Sequence, residues 1–460
     1  MKNKTSPVFV SVFLYRFAFL LFFIPLQRAI STGTSLPSAI YVYRINVAAI
    51  PLICIWAVLC YNHIQYKVDN HILHTDRGVL LHHNTEILLR KADFIRISAN
   101  PVFRLLKVCK LQISASHNST ALYLSNNETY NISECYYRGN KQPYTEYKPS
   151  FFSVLIFSVS FSSALTGLLS AIPLLRNIAG ILGEKQTHSL LANADLWVVT
   201  GYTALPPFLR ILSTLILLAW TMGATIEFLR YYPMKIRIHK DFLKTEKGLL
   251  TKHLTYISKN SVSALIIRQS ILLYLLKLHT VEALIKTRRK EESVPLLLAN
   301  PRSKCKDLLF GILPESSKRH LIKPPQKAFV SYVYKPFLLL SILSIIYIFT
   351  EKLSPYKIEI HLMLFVTLWL CLWFVFSAVS FTQSGICPCN SQLIIATTDK
   401  LNFIKVHIPK DRIRGIKITQ NIFQKRKGLC NLHIYILSGH RKRILIKHTD
   451  KNKTAGLLNL

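Results

Sequence analysis

The sequence predicts a mixed membrane protein: six α-helical transmembrane spans in three hairpins, each followed by a small cytoplasmic antiparallel β-barrel or sandwich module. Three observations predict it. The chain has 460 residues, is 50% hydrophobic and carries a net charge of +36, a pairing that fits apolar spans joined to strongly basic exposed parts. Six apolar segments are long enough to cross roughly 30 Å of hydrocarbon. The β-rich stretches between them repeat one another, so one unit is used three times.

Taken in order, the spans lie near residues 8–30, 40–61, 151–175, 205–229, 333–349 and 358–381. They set the boundaries: hairpins at 1–61, 151–230 and 333–382, and modules at 62–150, 231–332 and 383–460. A signal-peptide reading of the first stretch, with Lys2 and Lys4 as its basic flank, fits less well. The run is long and no small-residue cleavage site follows it. Lys and Arg in the connections give the orientation. Residues 31–39 hold no charge, and 176–204 hold Arg176 and Lys185 against Glu184 and Asp195. Residues 235–259 hold Lys235, Arg237, Lys240, Lys244, Lys247, Lys252 and Lys259. Both termini and all modules are therefore expected in the cytoplasm, with the basic excess facing an anionic leaflet, at about 1 kcal/mol per nearby Lys or Arg. Arg16, Arg44 and Arg210 fall within spans. For Arg44 and Arg210 snorkelling toward headgroups is the simpler reading. Arg16 lies deeper, where a cation costs roughly 2.5–3.5 kcal/mol, and a polar path or a lock between helices stands level there with snorkelling.

The modules are read from their repeats. Thr75, Gly78, Leu80, His83, Thr85 and Ile87 match Thr245, Gly248, Leu250, His253, Thr255 and Ile257 without a gap. Leu105, Leu106 and Lys107 keep that offset with Leu275, Leu276 and Lys277. The third copy matches at another constant offset: Ile87, Ile95, Ile97 and Asn100 correspond to Ile408, Ile416, Ile418 and Asn421. Asp399 stands where the others have glycine. In the first module β-type runs are expected at 65–68, 71–74, 78–82, 86–90, 94–98, 111–114 and 121–124. Gly78 is expected to supply a positive φ. Asn100-Pro101 breaks the strands before one helical turn, and residues 126–148 read as a polar loop.

A membrane hairpin, a strand entering a turn with Gly-hydrophobic-hydrophobic, an Ile-rich strand ending in Asn-Pro, and a Leu-Leu-Lys step together resemble the membrane-flanked bacterial pleckstrin-homology-like proteins. Their "isoleucine, proline, two or three residues, isoleucine" segment stands here as Ile408-Pro409-Lys410-Asp411-Arg412-Ile413. The first two copies carry it without the proline, from Ile87 to Ala92 and from Ile257 to Val262. The resemblance covers all three modules and their spans. It implies a pleckstrin-homology-type β-barrel, a place in the bacterial inner membrane, no known catalysis, a role in envelope stress or antimicrobial-peptide resistance, and a smaller single-module membrane protein as partner. The phosphoinositide-binding loop of eukaryotic members has no match, so that ligand does not carry over.

Chemistry is sparse. No phosphate-binding glycine loop, His-Glu-x-x-His or Gly-x-Ser-x-Gly is present, and Asp plus Glu total 22. Cys387-Pro388-Cys389 is the one close cysteine pair, and His82-His83 on a strand would point to opposite faces. No catalytic residue, metal site or cofactor is expected. The interaction signal is basic: Arg288-Arg289-Lys290, Arg302 with Lys304 and Lys306, Lys425-Arg426-Lys427 and Arg441-Lys442-Arg443. These point to anionic membrane lipid or an acidic partner, or to a solvated surface that enforces topology. Nucleic acid is disfavoured, because the clusters lack interleaved aromatics. The leading expectation is a non-enzymatic membrane-surface scaffold. The alternative is a transporter or exporter of a peptide or lipid through the six spans.

Overall fold

The computed structural model describes residues 3–15, 51–79, 81–115, 118–137, 144–161, 207–285, 292–312, 321–353, 358–399, 401–437, 442–451 and 453. The first repeat folds as β2 (Gln65–Asp69), β3 (Ile72–Arg77) and β4 (His83–Leu88), then a 3-10 turn at Leu89–Lys91. It continues with β5 (Phe94–Ala99), a helical turn at Pro101–Leu105, β6 (Val108–Ser114) and β7 (Ser119–Ser125). A short β1 (Asn3–Lys4) pairs with β2, and β8 (Thr145–Tyr147) follows the repeat. The second repeat runs β9 (Lys235–Ile238), β10 (Phe242–Lys247), β11 (Lys252–Ser258), Lys259–Ser261, β12 (Val262–Ser270), the helical turn Ile271–Leu275, β13 (Leu278–Ile285) and β14 (Glu292–Pro301). The third runs β15 (Gly385–Pro388), β16 (Gln392–Asp399), β17 (Asn402–Pro409), Lys410–Arg412, β18 (Ile413–Thr419), Ile422–Arg426, β19 (Leu429–Ile436) and β20 (Lys442–Asp450).

Local chemistry accounts for the joints. Asn70 and His71 both adopt positive φ between β2 and β3, as a two-residue hairpin of matching twist requires. Gly78 (φ +113°) and Gly248 (φ +96°) bend the chain out of β3 and β10. The isoleucine-to-isoleucine segment is the 3-10 turn that carries the chain from the first three strands to the last three. Pro409 caps it in the third repeat.

The strand order shows how the repeats are joined. One seven-stranded sheet runs β7-β6-β5-β11-β10-β9-β8, and one six-stranded sheet runs β14-β13-β12-β17-β16-β15. Thus β5 of the first repeat pairs antiparallel with β11 of the second, and β12 of the second pairs antiparallel with β17 of the third. The remaining strands form sheets β1-β2-β3-β4 and β18-β19-β20.

The chain divides into two compact units. The first holds Met1–Glu146, Ile236–Ser261 and Lys286–Lys290, and the second holds Tyr147–Lys235, Val262–Ile285 and Glu291–Leu460. In the first unit Leu73, Ile87, Ile95, Leu111, Ile113, Leu122 and Leu124 form a core that Phe242 and Tyr256 of the second repeat complete. In the second unit Leu393, Ile395, Val406, Ile408, Leu432, Ile434 and Ile446 form a core that Ala264, Ile266 and Leu284 complete. Each core therefore borrows residues from a neighbouring repeat, which offsets the small size of a module of about 60 residues.

Three expectations are corrected. Six membrane spans are not supported. Among the described residues two helical stretches are long and apolar enough to cross a membrane, Gln326–Ile346 and Val366–Gln383. The first runs from the 3-10 turn Gln326–Ala328 into the helix Phe329–Leu353, the second lies in the helix Ile358–Gln383, and the two helices pack together. The helices Pro51–Asn62 and Phe151–Phe161 are apolar but short, residues 8–15 are helical over the start of the first expected span, and residues 16–50 and 162–206 lie outside the described residues. A hydropathy run counts apolar residues without asking what they touch, and Ala57, Val154 and Phe157 are buried in the protein. Second, residues 126–148 are not all loop: Asn126–Tyr137 is a helix. Ser125 and Glu128 cap it reciprocally, with Ser125 N donating to Glu128 Oε2 (3.1 Å) and Glu128 N to Ser125 Oγ (3.3 Å). Third, the expected strand at 78–82 is not formed by its described residues, since Gly78, Val79, Leu81 and His82 lie outside the strands, and β4 starts at His83; Leu80 lies outside the described residues.

Candidate functional site

The most conspicuous surface feature recurs in every repeat at the helical turn between its fourth and fifth strands. In the first repeat Asn100 precedes Pro101, whose fixed φ suits the first helical position. In the second, Ser270 Oγ accepts from Leu273 N (3.3 Å). In the third, Asn421 and Gln424 form a capping box. The turns end at equivalent left-handed residues, Lys107 (φ +53°), Lys277 (φ +55°) and Gly428 (φ +67°).

One position in each turn points inward. Phe103 packs edge-on against Tyr123, Leu273 is fully buried, and buried Gln424 donates to Asn431 Oδ1 (2.9 Å) and bonds His448 Nδ1 (3.0 Å). Anchoring that residue aims its neighbours outward. Val102, Leu105 and Leu106 are exposed in the first repeat; Ile271, Leu272, Leu275 and Leu276 in the second; Ile422 and Phe423 in the third. Leu105 reaches 84% exposure and Phe423 78%. Cations flank them: Arg104 and Lys107, Lys277, and the run Lys425, Arg426 and Lys427, all exposed.

Strand sharing widens the first two patches. Because β5 runs antiparallel to β11, the turn after β5 lies beside the β10–β11 connection, and Arg104 Nη1 donates to Leu249 O (3.4 Å). Exposed Leu249 and Leu250 thereby join Leu105 and Leu106. At the other junction Ser270 faces Asn402, Tyr274 packs on Phe403 with ring centroids 5.1 Å apart, and exposed Leu401 stands beside the second turn. Soluble proteins scatter single exposed apolar residues, whereas clustered ones rimmed with charge mark contact surfaces.

The residues singled out in the sequence fall as follows. Leu105, Leu106, Lys107, Leu275, Leu276 and Lys277 lie on these patches, and Lys425, Arg426 and Lys427 form the third. Arg443 is exposed at the start of β20, with Lys442 beside it in the strand, while Arg441, Arg288, Arg289, Lys290 and Arg16 lie outside the described residues. Arg302, Lys304 and Lys306 share the exposed side of the helix Arg302–Ile312, whose Cys305 and Leu308 face inward. Burial pushes the Cys305 thiol up to about 12. Sequence reasoning passed over Ile422 and Phe423. Their signal was positional, since they align with Pro101-Val102 and Ile271-Leu272.

Elsewhere, Cys387 and Cys389 pack with Ile394 and Leu321, their Sγ atoms 3.7 Å apart. Among the described residues no group of three or more His, Cys, Asp or Glu could hold a metal ion. His407 is buried at the second junction, where burial and Lys405 lower its pKa to about 4.

The bacterial PH domain family matches the chain three times, over residues 19–134, 194–300 and 336–459. The chain belongs to that family, as a triple-repeat member. No curated protein and no solved structure matches it. Modules of this type are binding units and are not usually catalytic, so three in one chain suggest a scaffold or interaction role.

Proposed function

We propose that the chain is a non-enzymatic scaffold held at the bacterial inner membrane, with its repeats on the cytoplasmic leaflet and their helical turns docked among anionic headgroups. The observation that supports this reading best is the threefold recurrence of one exposed apolar turn flanked by Lys or Arg. Apolar side chains beside cations suit the boundary between headgroups and acyl chains, where each cation near the surface contributes about 1 kcal/mol. Gln326–Ile346 and Val366–Gln383 are only 11% and 17% buried in the protein, unlike core helices, and would anchor the chain. Lys425, Arg426, Lys427, Lys442 and Arg443 would supply lipid contacts, with Arg288, Arg289, Lys290 and Arg441 in the same role. Such a scaffold fits work in envelope stress or antimicrobial-peptide resistance, beside a smaller single-module relative.

The test is a spin label at Phe423→Cys in the full chain, reconstituted in nanodiscs of anionic or neutral lipid. Unsubstituted chain controls for native cysteines. In anionic discs the label should gain access to oxygen and lose access to a water-soluble nickel reagent, and high salt should reverse this. A label equally open to water in both lipids would overturn the reading.

A further inference from the structure

The two junctions between repeats are copies of one another. Tyr256 faces Ile95 at the first, and His407 faces Leu265 at the second. Tyr256 and His407 hold the same position in their repeats, as do Ile95 and Leu265, so the register is the same. In both, the third strand of the later repeat accepts the fourth strand of the earlier one. Applied at the two junctions among three repeats, that rule leaves one strand of each kind over. They are β4, at the edge of the sheet β1-β2-β3-β4, and β18, at the edge of the sheet β18-β19-β20. Among the described residues neither edge has a second strand partner.

We infer that β18 of one copy of this chain pairs with β4 of a second copy, in the register of the internal junctions. Transferring that register sets Ile87 against Gly415, Thr85 against Lys417 and His83 against Thr419. The equivalent pairs at the first junction are Ile257 with Phe94, Thr255 with Arg96 and His253 with Ser98. Threonine thus meets a cation, and histidine meets a hydroxyl, at the first internal junction and at the one between copies. Burial points the same way. Ile95 and Leu265 are fully buried at the internal junctions, whereas their equivalent Ile416 is only half-buried at the edge.

The other face sets the strength. Glu86 and Asn84 would oppose Ile416 and Ile418, where the first junction has Tyr256 and Leu254. The second junction closes with His407 and Lys405 at those positions, so polar residues do not prevent pairing. Glu86 now lies beside His74 (3.2 Å), and its carbonyl accepts from Asn118 Nδ2 (3.1 Å), a contact the incoming strand replaces. Polar groups guarding an edge favour reversible over permanent addition. The two surfaces differ, so the contact is heterologous and adds copies head to tail, giving rings or filaments. This inference is independent of lipid docking.

The experiment places two differently tagged full-length chains in one membrane, one with Thr85→Cys and the other with Lys417→Cys, under mild oxidation. Directly opposed strand residues lie about 4.5–5.5 Å apart at Cα, within disulfide reach. A dimer carrying both tags should form at least tenfold more than with Thr85→Cys and Ile413→Cys, four residues out of register, and more than with either substitution alone. Native cysteines are thereby controlled. Native mass measurements on unsubstituted chain, which need no variant, should show more than one copy. Equal cross-linking at Ile413→Cys, no mixed-tag product, or a bond only within one chain when it carries both substitutions would overturn the inference.

Discussion

His407 makes the junction between the second and third repeats sensitive to acid, and the size of the effect follows from its surroundings. Its ring lies in β17 opposite Leu265, 4% exposed. Burial, then the Lys405 ammonium, hold its pKa at about 4 in the folded chain, against about 6.5 for an unperturbed imidazole. The folded state therefore takes up its proton less readily than the unfolded state. The stability this contributes is complete above about pH 6.5 and is lost as pH falls toward 4. Between pH 7.5 and 5.0 the loss is about 2 kcal/mol, from roughly 1.4 kcal/mol per pKa unit. The assay is hydrogen exchange of β12 and β17 amides in the full chain at both pH values, corrected for intrinsic exchange rates. Wild type should lose about that much protection at the acid pH, and His407→Leu should lose much less over the same interval. A variant with the wild-type slope would show that the acid response resides elsewhere, and the reasoning about this ring would fail.

Other perturbations follow from the same geometry. At φ +113° a Cβ on Gly78 would collide with the Leu81 carbonyl, so Gly78→Ala should destabilise the first unit by at least about 1 kcal/mol, read as lowered protection of β3 and β4. Tyr256→Ala removes a second-repeat ring from the core of the first unit and should cost about 3 kcal/mol, the low end for a buried aromatic. The loss should reach first-repeat strands β5 and β6; loss confined to β10 and β11 would contradict the shared core.

Much of the fold was legible because it is written locally. Glycine at a left-handed turn, Asn-Pro ahead of a helical turn, and the fixed offset between copies all need only near neighbours. Cross-repeat pairing was not legible, since antiparallel partners far apart in sequence leave no local spacing to read. One hint existed: Val262 to Ile267 is almost continuously apolar apart from Ser263, the pattern of a strand covered on both faces. Both faces of β12 are indeed buried from Val262 to Ile266. The helix Asn126–Tyr137 was hidden by its polar composition, although Ser125 and Glu128 spelled a capping box. The exposed apolar turns were half legible. Leu105-Leu106-Lys107 stood out as a repeat, but exposure depends on whether Phe103, Leu273 or Gln424 is the residue drawn inward, which only packing decides. The spans were overcounted for a related reason, as an apolar run can be spent on packing.

Cross-repeat disulfides test the central claim, that successive repeats share continuous sheets, most directly. Arg96→Cys with Thr255→Cys spans the first junction, Ile267→Cys with Lys405→Cys spans the second, and Ile97→Cys with Leu111→Cys within one repeat is the control. In the full chain under mild oxidation, peptide mapping should find all three bonds within single chains. A chain that forms the control bond but neither junction bond would contradict the account and return the repeats to separate modules.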